Sequence, residues 1–283
     1  MVFDFGLAYV RPVINGDPSG KILFATLRSL LFFLLFVRAA FGQSDSLSRH
    51  NGILQDDPSN IFTRIELFNE RQTLTDGTVA NVTTARGIMA IGKRFTTRVD
   101  IPYISLPRTS SAEATSGIGD VSARLLGYKI LQSRRAAMLA SVELSFPTAQ
   151  SPLLGMGRNI ITPVIAYTRY LPKRKTVLAL TYQDYFSFGG DESRAHIRWS
   201  RMQLYHIRPW SRRVWTLLLP ELYYDHSGGG FSMNLEATGY YRMSDRFAVW
   251  LKGGAGLFGD HPARYSWTVE VGLRHLIWRK KKL

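Results

Sequence analysis

The sequence predicts an all-β fold: a transmembrane, antiparallel, up-and-down β-barrel of about 12 strands. Three observations predict this class. Apolar and polar residues alternate with a period of two over segments of roughly ten residues, which is the spacing of side chains along a β-strand. Turn-forming residues separate these segments, and a stretch typical of a secretory signal precedes them.

The last segment shows the alternation most clearly. Between residues 266 and 278 nearly every second position is apolar, and the positions between are polar or small. The apolar positions are Trp267, Val269, Val271, Leu273 and Ile277, and the others include Ser266, Thr268, Glu270, Gly272 and Arg274. We therefore expect a strand with one apolar and one polar face.

Twelve such segments follow one another along the chain. They are residues 61–70, 82–93, 95–106, 117–129, 135–148, 159–170, 176–186, 194–205, 214–225, 231–242, 246–257 and 265–278. Strands of soluble sandwiches are about five or six residues long, whereas a tilted strand needs about 9–11 residues to cross a bilayer. The length of the segments favours lipid, and strands at membrane depth must close into a barrel.

Aromatic residues cluster near the ends of the segments, where a membrane barrel carries its interfacial girdles. They are Tyr103, Tyr128, Tyr167, Tyr170, Tyr182, Tyr185, Phe186, Tyr205, Tyr223, Tyr224, Tyr240 and Tyr241. This placement favours a barrel in lipid over a soluble β-sandwich.

The chain divides into four parts on sequence grounds. Residues 1–42 are predicted to be a signal peptide, with "LLFFLLFV" as the apolar core and a cut after Gly42, and we expect the true start to lie downstream of Met1. Residues 43–60 are predicted to be a flexible periplasmic lead-in, residues 61–278 the outer-membrane barrel, and residues 279–283 a basic tail. Trp278 supplies the near-terminal aromatic residue that the barrel-assembly machinery reads.

The composition excludes several classes of function. The chain has no cysteine, which removes disulfides and thiolate metal sites, and we expect no cofactor and no metal site. Without residues 1–42 the net charge falls only from +15 to +13. No nucleic-acid-binding motif accompanies this charge, so we expect no nucleic-acid partner. The cations gather at turns, where we expect them to meet outer-membrane lipids and the phosphates of lipopolysaccharide.

Charged residues on the polar faces are the candidate site. The residues predicted to line a pore are Arg64, Glu66, Asp120, Arg124, Glu143, Glu236, Arg242, Glu270 and Arg274. A barrel of about 12 strands is intermediate between barrels filled by side chains and barrels with an open channel. These charges therefore either line a narrow pore or pair with one another and plug it.

Two stretches carry a family resemblance. "SGIGDVSARLLGYK" (residues 116–129) and "VELSFPTAQSPLLGMGRNIITPVIAYTRYL" (residues 142–171) resemble the strand entry and the proline–threonine loop of the MetA-pathway phenol-degradation family of outer-membrane proteins. "DIPY" (residues 100–103) is similar to a strand end of the same family. The resemblance implies an outer-membrane barrel near pathways that handle aromatic or other hydrophobic compounds, and it leaves the substrate unknown.

We therefore expect a channel or transporter for small molecules, aromatic or hydrophobic ones included. The alternative is a non-conducting barrel with a structural or lipid-binding role. A third reading is a lipid-modifying enzyme, prompted by Asp225, His226 and Ser227. Adjacent residues of an extended segment point to opposite sides, so these three cannot form a relay among themselves, and we expect no enzyme and no catalytic residues.

Overall fold

The described strands form one antiparallel sheet that closes on itself. The computed structural model describes residues 55–107, 113–259 and 265–277. The strands are β1 (Arg64–Leu74), β2 (Val79–Ile91), β3 (Phe95–Leu106), β4 (Thr115–Ile118), β5 (Val121–Gln132), β6 (Ala136–Phe146), β7 (Arg158–Leu171), β8 (Thr176–Gly190), β9 (Arg198–Pro209), β10 (Val214–Asp225), β11 (Phe231–Arg242), β12 (Phe247–Phe258) and β13 (Tyr265–Leu276).

The sheet closes because the first strand pairs with the last. Arg64 of β1 lies opposite Leu276 of β13, and the pairing continues along the whole of β1. Both β4 and β5 pair with β3, so together they occupy one position of the wall. The fold is thus a closed antiparallel barrel with 12 strand positions, which confirms the predicted class.

The connections differ at the two ends of the barrel. One end, here called the short-turn end, carries turns of three or four residues at 92–94, 133–135, 172–175, 210–213 and 243–246. The opposite end, here called the loop end, carries the longer connections 107–114, 147–157 and 191–197. Strand β1 starts and β13 finishes at the short-turn end, where Ile277 N–H donates to the Thr63 carbonyl at 2.9 Å.

The two faces of the wall separate apolar from polar side chains. In β13, Val271 and Val269 are 52% and 42% exposed on the outside, whereas Glu270 is 2% exposed on the inside. The same alternation runs along β1 and β3. An outer belt of exposed Leu, Ile and Val around a charged interior is the arrangement of a membrane barrel and the inverse of a soluble one.

No helix among the described residues has the length and hydropathy that a bilayer-crossing helix requires.

The signal peptide (1–42), the start of the lead-in (43–54), Trp278 and the basic tail (279–283) lie outside the described residues. Those four predictions remain predictions.

Candidate functional site

A ladder of ion pairs crosses the inner wall over six neighbouring strands, which are β13, β1, β2, β3, β5 and β6. Arg274 and Arg64 contact Glu66 at 2.7 and 2.9 Å. Arg86 then lies 3.7 Å from Glu66 and 2.7 Å from Asp100. Arg98 links Asp100 at 3.2 Å to Glu143 at 3.0 Å. Arg124 completes the ladder, with Nε and Nη2 donating to Glu143 at 2.9 and 2.7 Å.

Two further charged groups lie on the remaining wall. Lys252 is surrounded by three carboxylates, with Glu70 at 2.8 Å and Glu236 and Glu270 at 3.2 Å. In β9, Arg201 lies 3.7 Å from Glu221, and its Nη2 donates to the side-chain Oε1 of Gln183 at 2.9 Å. Each charge of the ladder and of these two groups therefore has an opposite charge within 4 Å, which offsets the cost of removing both from water.

The structure brings together seven of the nine predicted residues. Arg64, Glu66, Arg124, Glu143 and Arg274 belong to the ladder, and Glu236 and Glu270 contact Lys252. The Glu143 side chain is fully buried.

Asp120 and Arg242 lie apart from these groups. Asp120 accepts hydrogen bonds from Met156 N–H at 2.6 Å and Ala149 N–H at 3.1 Å, so it holds the loop 147–157 against the wall at the loop end. Arg242 lies at the short-turn end with its guanidinium 5.9 Å from the Trp215 ring. Asp120 therefore anchors a loop, and Arg242 is placed near one mouth of the barrel.

The last part of the predicted lead-in enters the barrel. Of residues 55–60, here called the inserted segment, Gln55, Asp57 and Ser59 are buried. Asp57 accepts hydrogen bonds of 2.6 Å from Thr168 Oγ1 and from Tyr170 Oη. Asp56 accepts 2.6 Å from Trp215 Nε1 and 2.7 Å from Arg274 Nη2. For these six residues the prediction of a flexible lead-in is corrected, because their carboxylates find cationic and hydroxyl donors inside the barrel.

The inserted segment narrows the interior on the short-turn side. A cavity of about 80 Å³ remains there, lined by Asp56 and Asp57 together with ladder residues and aromatic rings. This volume holds only a few water molecules. The inserted segment therefore occupies part of the interior on the short-turn side.

Aromatic side chains form part of the inner wall. Trp215 and Tyr240 stack with centroids 5.1 Å apart and an interplanar angle of 2°, and Trp250 lies 6.0 Å from Tyr240. Five of the tyrosines interpreted as girdle residues point inward instead: Tyr170, Tyr185, Tyr205, Tyr223 and Tyr240. Sequence position near a strand end did not distinguish the two faces.

His226 takes part in a cluster on the outer wall. Its Nε2 lies 2.7 Å from Ser200 Oγ, and Ser200 donates to Asp184 Oδ1 at 3.0 Å. Asp184 approaches the same Nε2 at 3.9 Å, rather than the other ring nitrogen that a catalytic relay would require. Tyr182 Oη also contacts Ser200 at 3.0 Å, so this hydroxyl is saturated with partners. The cluster therefore resembles a structural tether of the loop 226–230, and Ser227 has no part in it.

Several luminal residues were not predicted from the sequence. Arg86, Asp100 and Arg98 connect the two halves of the ladder, and Lys252 organises a group of its own. Arg86, Arg98 and Asp100 could have been predicted from the alternation of residues 82–104. All three occupy even positions, which are the inward-facing positions of these strands. No group of three or more His, Asp or Glu among the described residues is arranged to hold a metal ion.

The chain matches no protein-family model and no curated protein. Its structure is similar to that of the COG4313 outer membrane channel from Pseudomonas putida F1, with a TM-score of 0.65 at 15% sequence identity over 83% of this chain and 100% of that one. It is also similar to the NanC porin (TM-score 0.54, 9% identity, 75% and 98% coverage) and the KdgM porin (0.52, 12%, 75% and 98%). These likenesses show a shared barrel fold.

Proposed function

We propose that this protein is a channel of the bacterial outer membrane that passes small molecules, and that it is not an enzyme. The observation that carries the proposal is the closed 12-position barrel with an apolar outer wall and a charged inner wall. A charged interior costs less when water reaches it, which is the situation in a channel. The similar solved structures, a channel and two porins, support the same role.

Aromatic or other hydrophobic compounds are the proposed substrate class. On the inner wall Tyr240 lies 5.1 Å from Trp215 and 6.0 Å from Trp250, and such rings can stack on a flat solute once the inserted segment has moved aside. The resemblance of residues 116–129 and 142–171 to the MetA-pathway family supports the same class. Arg274 lies 5.5 Å from both the Tyr240 and Trp250 rings, so an acidic substituent on the solute would meet a cation there.

The inserted segment acts as the gate in this proposal. It occupies the space beside the same aromatic rings, since Asp56 accepts a hydrogen bond from Trp215. A solute that passes the short-turn side must displace residues 55–60 or move with them. We expect the resting channel to conduct weakly and in brief openings.

Conductance of the refolded protein in a planar lipid bilayer tests the proposal, with and without a small aromatic acid such as benzoate. Discrete current steps that benzoate blocks are the expected result. A barrel that is folded by circular dichroism and never conducts, even after residues 55–60 are removed, would overturn it.

The second candidate is a non-conducting barrel with a structural or lipid-binding role. It is favoured by the continuous ion pairs and by the cavity of about 80 Å³ beside the inserted segment. The variant without residues 55–60 separates the two candidates, because a plugged barrel stays silent when the segment is gone.

A further inference from the structure

The two ends of the barrel differ in charge. The five turns of the short-turn end carry ten basic residues and one acidic residue, Asp245. The basic residues are Lys93, Arg94, Arg134, Arg135, Lys173, Arg174, Lys175, Arg212, Arg213 and Arg246. The described connections of the opposite end carry five acidic residues against the single cation Arg194, namely Asp76, Glu113, Asp120, Asp191 and Glu192. The cations predicted to face lipopolysaccharide are therefore concentrated at one end.

The direction of the barrel decides which leaflet these cations meet. Bacterial barrels place short turns on the periplasmic side and longer loops outside. Strand β1 starts and β13 finishes at the short-turn end, which agrees with that direction. On this basis the turn cations lie beside the inner, phospholipid leaflet and away from lipopolysaccharide.

One groove on the outer wall at the short-turn end gathers three of these turn cations together with Arg208 of β9. It has a volume of about 770 Å³ and lies between the turn at 172–175 and the end of β9. Lys173, Arg174 and Lys175 line one side, and Arg208 lines the other. None of the described residues that line the groove is acidic. An anion that enters it therefore meets four positive charges and no repulsion.

The groove continues onto the lipid-facing wall. Leu178 and His206 are opposite each other in the β8–β9 pairing, while their neighbours Ala179 and Ile207 point into the barrel. Trp210 is 61% exposed at the same level, and the Arg208 guanidinium lies 4.6 Å from its ring centroid. A Trp with neighbouring cations above an apolar wall is the side-chain arrangement found at the headgroup level of a bilayer.

We propose that this groove binds the headgroup phosphate of an anionic glycerophospholipid of the inner leaflet. The guanidinium groups of Arg174 and Arg208 supply charge-assisted hydrogen bonds to the phosphate oxygens. One acyl chain then follows the wall past Leu178. This inference depends on the proposed membrane location, but it goes beyond channel activity because the groove lies outside the lumen.

Native mass spectrometry of the detergent-solubilised full-length barrel tests the site, with phosphatidylglycerol as the probe. The double variant Arg174→Gln with Arg208→Gln is compared with the matched control Arg212→Gln with Arg213→Gln, which removes two cations of the same end outside the groove. We expect the groove variant to bind phosphatidylglycerol about 30-fold more weakly, from about a five-fold effect for each cation near an anionic lipid, and the control to change little.

Three outcomes would overturn the proposal. Equal weakening in both double variants would show general charge attraction in place of a site. Tighter binding of lipid A than of phosphatidylglycerol would assign the groove to lipopolysaccharide. Equal binding of inorganic phosphate would show that the groove recognises phosphate alone and not a lipid. The measurement needs no conductance, so a silent but lipid-binding barrel would refute the channel and leave the groove intact.

Discussion

The Asp57 carboxylate accepts a hydrogen bond of 2.6 Å from the Tyr170 hydroxyl, 113 residues further along the chain. This contact joins the inserted segment to the inner face of β7. Thr168 donates to the other oxygen of the same carboxylate at 2.6 Å, and the Ser59 N–H and hydroxyl donate at 2.9 and 2.7 Å. Four donors on one carboxylate fix the position of the segment in the barrel.

Replacing Asp56 and Asp57 by Asn together is expected to open the channel. Each substitution weakens charge-assisted hydrogen bonds that hold the inserted segment in place. The two together should cost the closed state about 2 kcal/mol, so the fraction of open channels should rise by up to about 30-fold. Single-channel recording measures this as longer openings. Asp76→Asn, in an exposed turn of the opposite end, is the control. An unchanged open fraction in the double variant would show that the inserted segment is not the gate.

Replacing Glu143 by Gln is expected to destabilise the barrel. This fully buried carboxylate holds both Arg98 and Arg124, and its loss leaves two buried cations with reduced compensation. Breaking a buried pair costs about 3–5 kcal/mol. The urea midpoint of the folded band in a gel-shift assay should fall, whereas exposed Glu192→Gln should leave it unchanged. Equal midpoints for both variants would mean that water already compensates these charges.

Gly272 has no room for a side chain. A Cβ atom there would overlap the Trp250 ring, which packs directly across the β12–β13 pair. Gly272→Ala should displace Trp250 from its hydrogen bond with Glu270 and lower the folding stability, by about 1–3 kcal/mol as for other overpacked sites. Gly253→Ala is the control, because nothing lies within 4 Å of its Cβ position. Unchanged Trp fluorescence in G272A would contradict the predicted displacement.

Lys252→Met is expected to make the channel more cation-selective. The substitution leaves Glu70, Glu236 and Glu270 facing the lumen without their shared cation. The reversal potential in a salt gradient should shift towards that of the cation. Lys173→Met removes the same charge from the outer surface and should shift it less. If both variants behave alike, ions do not pass Lys252.

Acid is expected to loosen the loop that follows β10. Burial lowers the pKa of His226, although nearby Asp184 acts in the opposite direction. The unfolded chain therefore binds the proton more readily than the folded one, so this contribution to stability is present above about pH 6.5 and declines as the pH falls below it. After correction for the base-catalysed intrinsic rate, the hydrogen-exchange protection of residues 226–230 should be lower at pH 5.5 than at pH 7.5. His226→Gln should abolish that difference, and a difference that persists in the variant would assign the effect to another group.

Much of the barrel could be predicted from local pattern. Strands β3 and β11 have the predicted bounds, because period-two alternation and flanking turns identify a strand without reference to its neighbours, and β10 has the predicted bounds from its flanking turns. Most of the predicted luminal charges were found in the same way, through their parity with polar neighbours. Alternation failed for β7 and β10, whose inward positions include Val164, Trp215 and Leu217, because apolar side chains lie on both faces there.

The sequence by itself determined the class of the protein. Strand length, alternation and turn chemistry are local properties, and a polar face on a bilayer-length strand leaves few folds that satisfy every backbone group. The tertiary structure alone decided which charges meet. Arg98 reaches Glu143 across 45 residues, and Asp57 reaches Tyr170 across 113. Strand pairing brings Arg98 and Glu143 together although they are far apart in the sequence. No local pattern records whether a segment outside the strands returns to fill the space that the barrel encloses.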